Sequence, residues 1–203
     1  MDLNDVYLLR DEAKAAGEPI LRDKSFELLL ETIKRYKPKK ILEIGTNVGL
    51  SGIAMLLTSS GASLTGIEID EEKKRTAESN YIRFGVEKRA KIFLGDAGEI
   101  LPVLTGEYDF VFLDGPKGHY YEYLSFIVPV LKSGGVIFAD NVLFRGYVTG
   151  KVKMPHRFAT TKHSMENFLE SVKNSDMFET TVYDIEDGVS VTVKKVKPEN
   201  ERI

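Results

Sequence analysis

The sequence predicts an α/β fold: a doubly wound, mostly parallel seven-stranded sheet that closes with a C-terminal antiparallel hairpin. From residue 20 onward, short apolar runs alternate with helical patterns, as parallel strands joined by helical crossovers do. Several runs end in glycine or an acid, as strands do where they enter ligand-bearing loops. The alternation then stops, and two β-rich runs at 179–185 and 189–196 are separated only by Glu186-Asp187-Gly188, a hairpin link. At 203 residues the chain suits one domain covering 1–203 and is too short for two ordinary ones.

The elements follow in order. Segment 20–36 carries apolar residues at 21, 26, 28, 29, 30 and 33, the face of a helix, and Pro38 stops it. Residues 40–45 read as a buried strand entering a glycine turn. Residues 50–58 form the next helix, with Gly61 past its end. A strand at 63–69 and a helix at 71–84, closed by Gly85, repeat the unit. Strands are expected at 90–94, 109–113 and 136–139, with helices between them at about 97–104 and 119–132. The first 18 residues lie outside the alternation, as a helix over the ligand pocket or a plain surface helix. Residues 197–203 are expected to be a frayed tail.

Composition narrows the chemistry. Zero cysteines exclude disulfides, thiolate metal sites and a cysteine nucleophile together. No apolar run approaches the roughly 18 residues of a membrane span, and the acidic opening Met1-Asp2-Leu3-Asn4-Asp5 lacks the apolar core of a signal peptide. A cytoplasmic protein with no membrane partner is expected. The net charge of −3 argues against a wholly basic nucleic-acid binder and leaves room for a local basic surface.

In an open parallel sheet, ligands bind beyond the carboxyl ends of the strands, where this sequence sets polar residues one after another. The first turn reads Glu43-Ile44-Gly45-Thr46-Asn47-Val48-Gly49-Leu50-Ser51, with Gly45 and Gly49 letting backbone approach a ligand. Asn47 and Leu50 stand where a dinucleotide fingerprint needs its second and third glycines, so a nicotinamide cofactor is disfavoured. Glu68 follows at the distance at which a carboxylate accepts both ribose hydroxyls, whereas Asp70, directly before a helix, suits an N-cap. Asp96 is placed either to accept an adenine amino group or to cap the next helix. Glu43, Glu68 and Asp96 together describe an acid-lined site without phosphate-binding lysines. Such a site suits a cationic, phosphate-free nucleoside such as S-adenosylmethionine (SAM).

The fourth and fifth strands end in Asp114-Gly115-Pro116-Lys117 and Asp140-Asn141. Two carboxylates and an amide oxygen form a hard half-shell that selects Mg2+, Mn2+ or Ca2+ over zinc. The plainer alternative is that each Asp caps the next helix. Methyl transfer from a sulfonium needs no acid for the leaving group, and its difficulty is making the acceptor oxygen nucleophilic near pH 7. Lys117 is placed to take the acceptor proton, or else to hold charge or orient an oxygen; His119 is the weaker candidate for the base.

The motifs Ile41-Leu42-Glu43-Ile44-Gly45-Thr46, Gly66-Ile67-Glu68, Phe112-Leu113-Asp114-Gly115-Pro116-Lys117-Gly118 and Ala139-Asp140-Asn141-Val142 resemble the class I metal-dependent O-methyltransferases. That family includes the catechol and caffeoyl-coenzyme A enzymes, and the resemblance spans roughly 20–196. It implies a Rossmann-like methyltransferase fold. It also implies SAM lined by Glu43, Gly45, Asn47, Gly49, Ser51, Glu68, Asp96, Ala97 and Asp114. Asp114, Asp140 and Asn141 would hold the metal, Lys117 would act as base, and a homodimer is expected. The chain departs from the animal catechol enzymes at Thr181, where those enzymes place a substrate-orienting Glu.

Residues 141–165 hold Arg145, Lys151, Lys153, Arg157 and Lys162, with His156 and His163, and no acid. Clustered Lys and Arg suit phosphate recognition, although a loop and a helix start also collect lysine. This segment and Ala16-Gly17-Glu18-Pro19-Ile20-Leu21 resemble a bacterial branch that methylates 5-hydroxyuridine in tRNA. That hydroxyl, like a catechol's, has a neighbouring oxygen. A small catechol-type phenol or its coenzyme A thioester is the alternative acceptor. From other classes, a nicotinamide-dependent oxidoreductase and a non-catalytic RNA-binding module remain as rivals.

Overall fold

Which strands are central follows from which runs are apolar on both sides. In the computed structural model, which describes residues 1–196, seven strands form one sheet. They are β1 Lys40–Ile44, β2 Ser63–Glu68, β3 Ala90–Leu94, β4 Tyr108–Leu113, β5 Leu131–Asp140, β6 Phe178–Tyr183 and β7 Val189–Lys194. The order is β3-β2-β1-β4-β5-β7-β6; the pairs are parallel from β3 to β5, and β7 runs antiparallel to both neighbours. The strand order reverses between β1 and β4, so the crevice of the fold opens above their carboxyl ends.

Alternate residues of the central strands feed two apolar layers, one on each sheet face. Ile41, Phe110, Phe112, Val136 and Phe138 pack in one cluster with α1 Leu3–Ala15, α2 Asp23–Tyr36, α3 Leu50–Thr58 and α4 Glu71–Arg83. Leu42, Val111, Leu113, Ile137 and Ala139 pack in the other with α6 Tyr120–Val130 and α7 Ala159–Lys173. The short α5 Ala97–Ile100 runs into a 3-10 turn at Leu101–Val103, where Pro102 sits in its first turn.

The mostly parallel seven-stranded sheet and its terminal antiparallel hairpin agree with the sequence prediction. Four details differ. The long segment expected as a helix at 20–36 begins at Asp23, because 18–22 are spent as a linker from α1. The expected helix at 119–132 stops at Val130, and β5 starts at Leu131, well before the expected 136; Lys194 Nζ donates to the Val128 and Leu131 carbonyls and so closes the helix end from another strand. Helix α7 lies in a stretch expected only as a basic loop and its sequel. Its apolar face, Met165, Phe168, Leu169 and Val172, is confined to its second half. The hairpin strands stop at Tyr183 and Lys194, two residues earlier than expected.

Helix α1 is held at its start by a capping box between Asp2 and Asp5 and buries Val6, Leu9, Arg10 and Ala13 against the body. Over the crevice lies the linker after it. The expected tail, 197–203, falls outside the described residues. No helix among the described residues is long and apolar enough to cross a membrane.

Candidate active site

A cavity of about 310 Å³ opens above the carboxyl ends of β1, β2, β3 and β4. Of the residues expected to line a cofactor, Gly45, Asn47, Glu68, Asp96, Ala97 and Asp114 line this one, together with Lys117. Pro19, Lys73 and Tyr123 also line it, and none of them was expected at a cofactor. They come from a linker, a helix face and a crossover, where only tertiary packing assigns a side chain to a cleft.

Glu68 is held by two backbone donors. Its Oε2 accepts the Asn47 N–H at 2.6 Å and its Oε1 the Asp70 N–H at 2.9 Å, so the carboxylate plane is fixed by backbone. Asp70 caps α4 through the Glu72 and Lys73 N–H groups. Asp96 caps α5 through the Gly98 N–H at 2.6 Å and also lines the cavity.

Gly45 must be glycine. Its φ is +89°, and a Cβ there would stand 2.5 Å from the Asp114 carbonyl oxygen, so its bareness lets the β1 turn touch the β4 turn. Gly49 serves differently: a Cβ would stand 2.8 Å from Tyr81 Cε1 and 3.0 Å from Ala77 Cβ, so it seats α3 against α4 and faces neither cavity. Ser51 lines a second, narrower cavity beside the first.

Glu43 sits one layer below the cavities, fully buried, with Ser51 Oγ donating to it at 2.5 Å. Burial, partly offset by the Ser51 and Thr46 hydroxyls, pushes its carboxyl up to about 8, so it carries a proton at neutral pH. The unfolded chain releases that proton near its ordinary pKa of 4.5. Between those values only the folded state binds the proton, so rising pH removes stability, by up to about 1.4 kcal/mol per unit. Glu43→Gln keeps the Ser51 contact without the titration. Its thermal midpoint is expected to pull ahead of the wild type progressively from pH 5 to pH 8; a gap that stays constant with pH would refute a protonated Glu43.

Asp114 and Asp140 stand where β4 and β5 end. Leu113 pairs with Ala139, so Asp114 and Asp140 leave adjacent parallel strands at one level. The buried Tyr120 hydroxyl ties the two ends together, donating to the Leu113 carbonyl at 3.0 Å and the Asp140 carbonyl at 3.2 Å. Burial raises the Asp114 carboxyl. Burial first, and the neighbouring Asp114 second, push Asp140 up to about 7. Asp140 Oδ1 is buried without a hydrogen-bond partner among the described residues. Asn141 follows at φ 58°. Two crowded carboxyls, one with an orphaned oxygen, beside an amide oxygen fit a hard dication better than they fit each other. Among the described residues no three His, Cys, Asp or Glu gather as a metal cluster; the candidate set counts an amide as its third donor.

Lys117 Nζ donates to Asp114 Oδ1 at 2.9 Å at the cavity rim. His119 instead meets Glu122 and stacks on Tyr123, with more than half of its side chain exposed. Thr181 lines a groove between α2 and the hairpin, away from this cavity.

The basic stretch divides in two. Lys151 pairs with Asp184 and Lys162 with Glu166. Arg145 and Arg157 both lie over the Phe158 ring, in an aromatic group with Phe144 and Tyr147, and with Lys153 they form no ion pair among the described residues. The loop start is fastened by the hairpin turn: Leu143 N–H donates to the Asp187 carbonyl, and Arg145 N–H to Asp187 Oδ1 at 2.5 Å. Asn141, Phe144 and Arg145 all have positive φ, a conformation those clamps hold in place. From the same turn, Glu186 accepts the Lys24 and Ser25 N–H groups and the Ser25 hydroxyl, supplying the cap that Arg22 cannot give α2.

A family defined as O-methyltransferase matches residues 20–195. A caffeoyl-CoA O-methyltransferase of Stellaria longipes is 33% identical over 129 residues, 60% of this chain and 54% of that protein. A catechol O-methyltransferase of Niastella koreensis is 36% identical over 116 residues, 54% of this chain and 52% of that protein. The chain thus spans about half the length of these curated relatives. The crystal structure of an O-methyltransferase from Bacillus cereus in complex with SAH superposes with a TM-score of 0.82 at 23% identity, covering 94% of this chain and 90% of that one. With a match that runs from the linker before α2 to the end of the hairpin, this chain belongs to the O-methyltransferase family.

Proposed function

We propose that the chain is a SAM-dependent O-methyltransferase that uses a divalent metal, Mg2+ by the hardness of the donors, to methylate a hydroxyl with a neighbouring oxygen. One observation carries this reading: Asp114 lines the same cavity as the ribose-side Glu68 and also faces Asp140 at the adjacent strand end. Cofactor and acceptor sides therefore meet at a single residue. The Bacillus cereus protein of this fold was solved with SAH, the demethylated form of SAM, which accords with a nucleoside in this crevice.

In the reaction an acceptor oxygen attacks the sulfonium methyl in line, the C–S bond breaks as the C–O bond forms, and the electron pair returns to sulfur. Glu68 orients the ribose, and Asp96 and Ala97 border the base. Asp114, Asp140 and Asn141 would hold the cation, which when bound lowers the pKa of the acceptor hydroxyl and fixes two adjacent oxygens. Lys117, at the rim, takes the hydroxyl proton or holds the acceptor oxygen toward the methyl group. Glu68→Ala is expected to weaken SAH binding at least ~10-fold, since it removes the ribose partner and orphans the Asn47 N–H. Calorimetric titration with SAH checks this; unchanged affinity would remove Glu68 from the site.

A catechol-type phenol is the acceptor class that the family relatives favour. The second acceptor, 5-hydroxyuridine in tRNA, is favoured by one observation: Arg145 and Arg157 lie over the Phe158 ring, and with Lys153 they have no acidic partner among the described residues. Methyl incorporation from labelled SAM into catechol, unmodified tRNA and tRNA bearing 5-hydroxyuridine separates the two. Transfer to catechol alone refutes the RNA acceptor, and transfer to the modified tRNA alone refutes the phenol. No transfer to any of the three, with SAH bound normally, refutes both acceptors.

A further inference from the structure

The second cavity, about 20 Å³, runs under the linker between α1 and α2 and shares Pro19, Gly45, Asn47 and Asp114 with the larger one. It has room for about one water-sized group, so it admits an oxygen and excludes a ring. One wall is the start of α3, Leu50 and Ser51. Its N-cap is Gly49, which brings no capping side chain, so the positive end of the helix faces the cavity uncovered.

Arg10, which no sequence pattern singled out, lines the same cavity. Only 2% of Arg10 is exposed. Its guanidinium lies 3.8 Å over the Phe26 ring, and Nη2 donates at 2.8 Å to both the Leu21 carbonyl and Asp23 Oδ1. Among the described residues Nε and Nη1 make no hydrogen bond. Its one anionic partner among the described residues, Asp23, is 71% exposed and is shared with Lys14, so two cations divide one carboxylate. A buried cation that shares its carboxylate with Lys14, lining one cavity with a bare helix start, is a site for an anion. Glu43 beneath Ser51 holds its proton at neutral pH and does not oppose one.

We infer that Arg10 binds the α-carboxylate of SAM, with one carboxylate oxygen reaching from the main cavity into the narrow one. Arg10 then selects nucleosides that carry an amino acid over truncated ones, and couples cofactor binding to the linker that it already holds through Leu21. This rests on the SAM reading above, and the test keeps the two apart.

The probes are SAH and S-adenosyl-3-thiopropylamine, which is SAH without its carboxylate, titrated calorimetrically into the full chain. The wild type is expected to prefer SAH by ~10-fold or more, as a charge-assisted hydrogen bond implies. Arg10→Lys and Arg10→Met should cut that preference to within ~3-fold and leave the decarboxylated ligand's affinity as in the wild type. If Arg10 only straps the linker, both ligands weaken together and the preference survives, which overturns the inference. A wild type with no preference overturns it without any variant. A wild type that binds neither ligand refutes the cofactor reading itself.

Discussion

Asp140→Ala is expected to abolish metal-stimulated methyl transfer, by about 10³-fold or more, which is about 4 kcal/mol of barrier, while the protein stays folded. Both halves follow from one environment. Asp140 is 3% exposed, its Oδ1 has no hydrogen-bond partner among the described residues, and Asp114 crowds it from the next strand. A group so placed does little for the apo fold, so truncating it removes an unfavourable burial along with some packing. Its thermal midpoint should therefore lie within a few degrees of the wild type, whereas the midpoint gain on adding Mg2+ should vanish. The isosteric Asp140→Asn separates charge from shape, and should lose most of the rate with the least change in packing. Full activity in either variant, or in excess chelator, would sink the metal mechanism and leave SAM binding untouched as a claim.

Gly45→Ala should produce the largest structural effect of any single methyl group in the crevice. At φ +89° an alanine costs about 1–2 kcal/mol in backbone strain. Its Cβ would also stand 2.5 Å from the Asp114 carbonyl oxygen, a backbone atom that cannot swing aside, and overpacking of that kind adds about 1–3 kcal/mol. The shift moves the β1 turn and the β4 turn apart, so SAH affinity and acceptor chemistry should fall together. Gly17→Ala is the control: its φ is +79°, yet nothing lies within 4 Å of the added atom. Denaturant titration should find a loss of about 1 kcal/mol there and two to five times that at Gly45. Equal losses would show that strain alone matters and that the Asp114 approach does not.

The parts of the fold that the sequence made legible are those whose signal is local. Ile41 and Leu42, or Val111 and Phe112, are apolar in succession because both sheet faces are covered, and a short run of that kind between helical patterns can only be a central strand. Asp70 could be read as a cap because it directly precedes its helix. Six residues expected at a cofactor share one cavity because strand ends in a parallel sheet converge by topology. What stayed illegible is made by distant partners. The depth of Glu43 depends on Ser51 and Tyr81, the end of α6 depends on Lys194, and Arg10 becomes a wall of the cleft only when α1 lies down on Phe26. Helix α7 did carry a local signal, the apolar spacing from Met165 to Val172, but the exposed, threonine-bearing first half diluted it.

The turn at 184–188 carries three acids, each fastened to a different part of the molecule: Asp184 to Lys151, Glu186 to the start of α2, and Asp187 to the backbone at Arg145. The chain from Gly146 to Phe158 is therefore anchored from outside, by an element that contributes no residue to the crevice. Such a segment behaves as a cassette. Within a lineage it can lengthen, change sign or exchange its aromatic residues without shifting Asp140 or Asn141. Exchanging residues 146–158 is therefore expected to leave the fold and the Asp140–Asn141 strand end in place, which an unchanged thermal midpoint and SAH affinity would check.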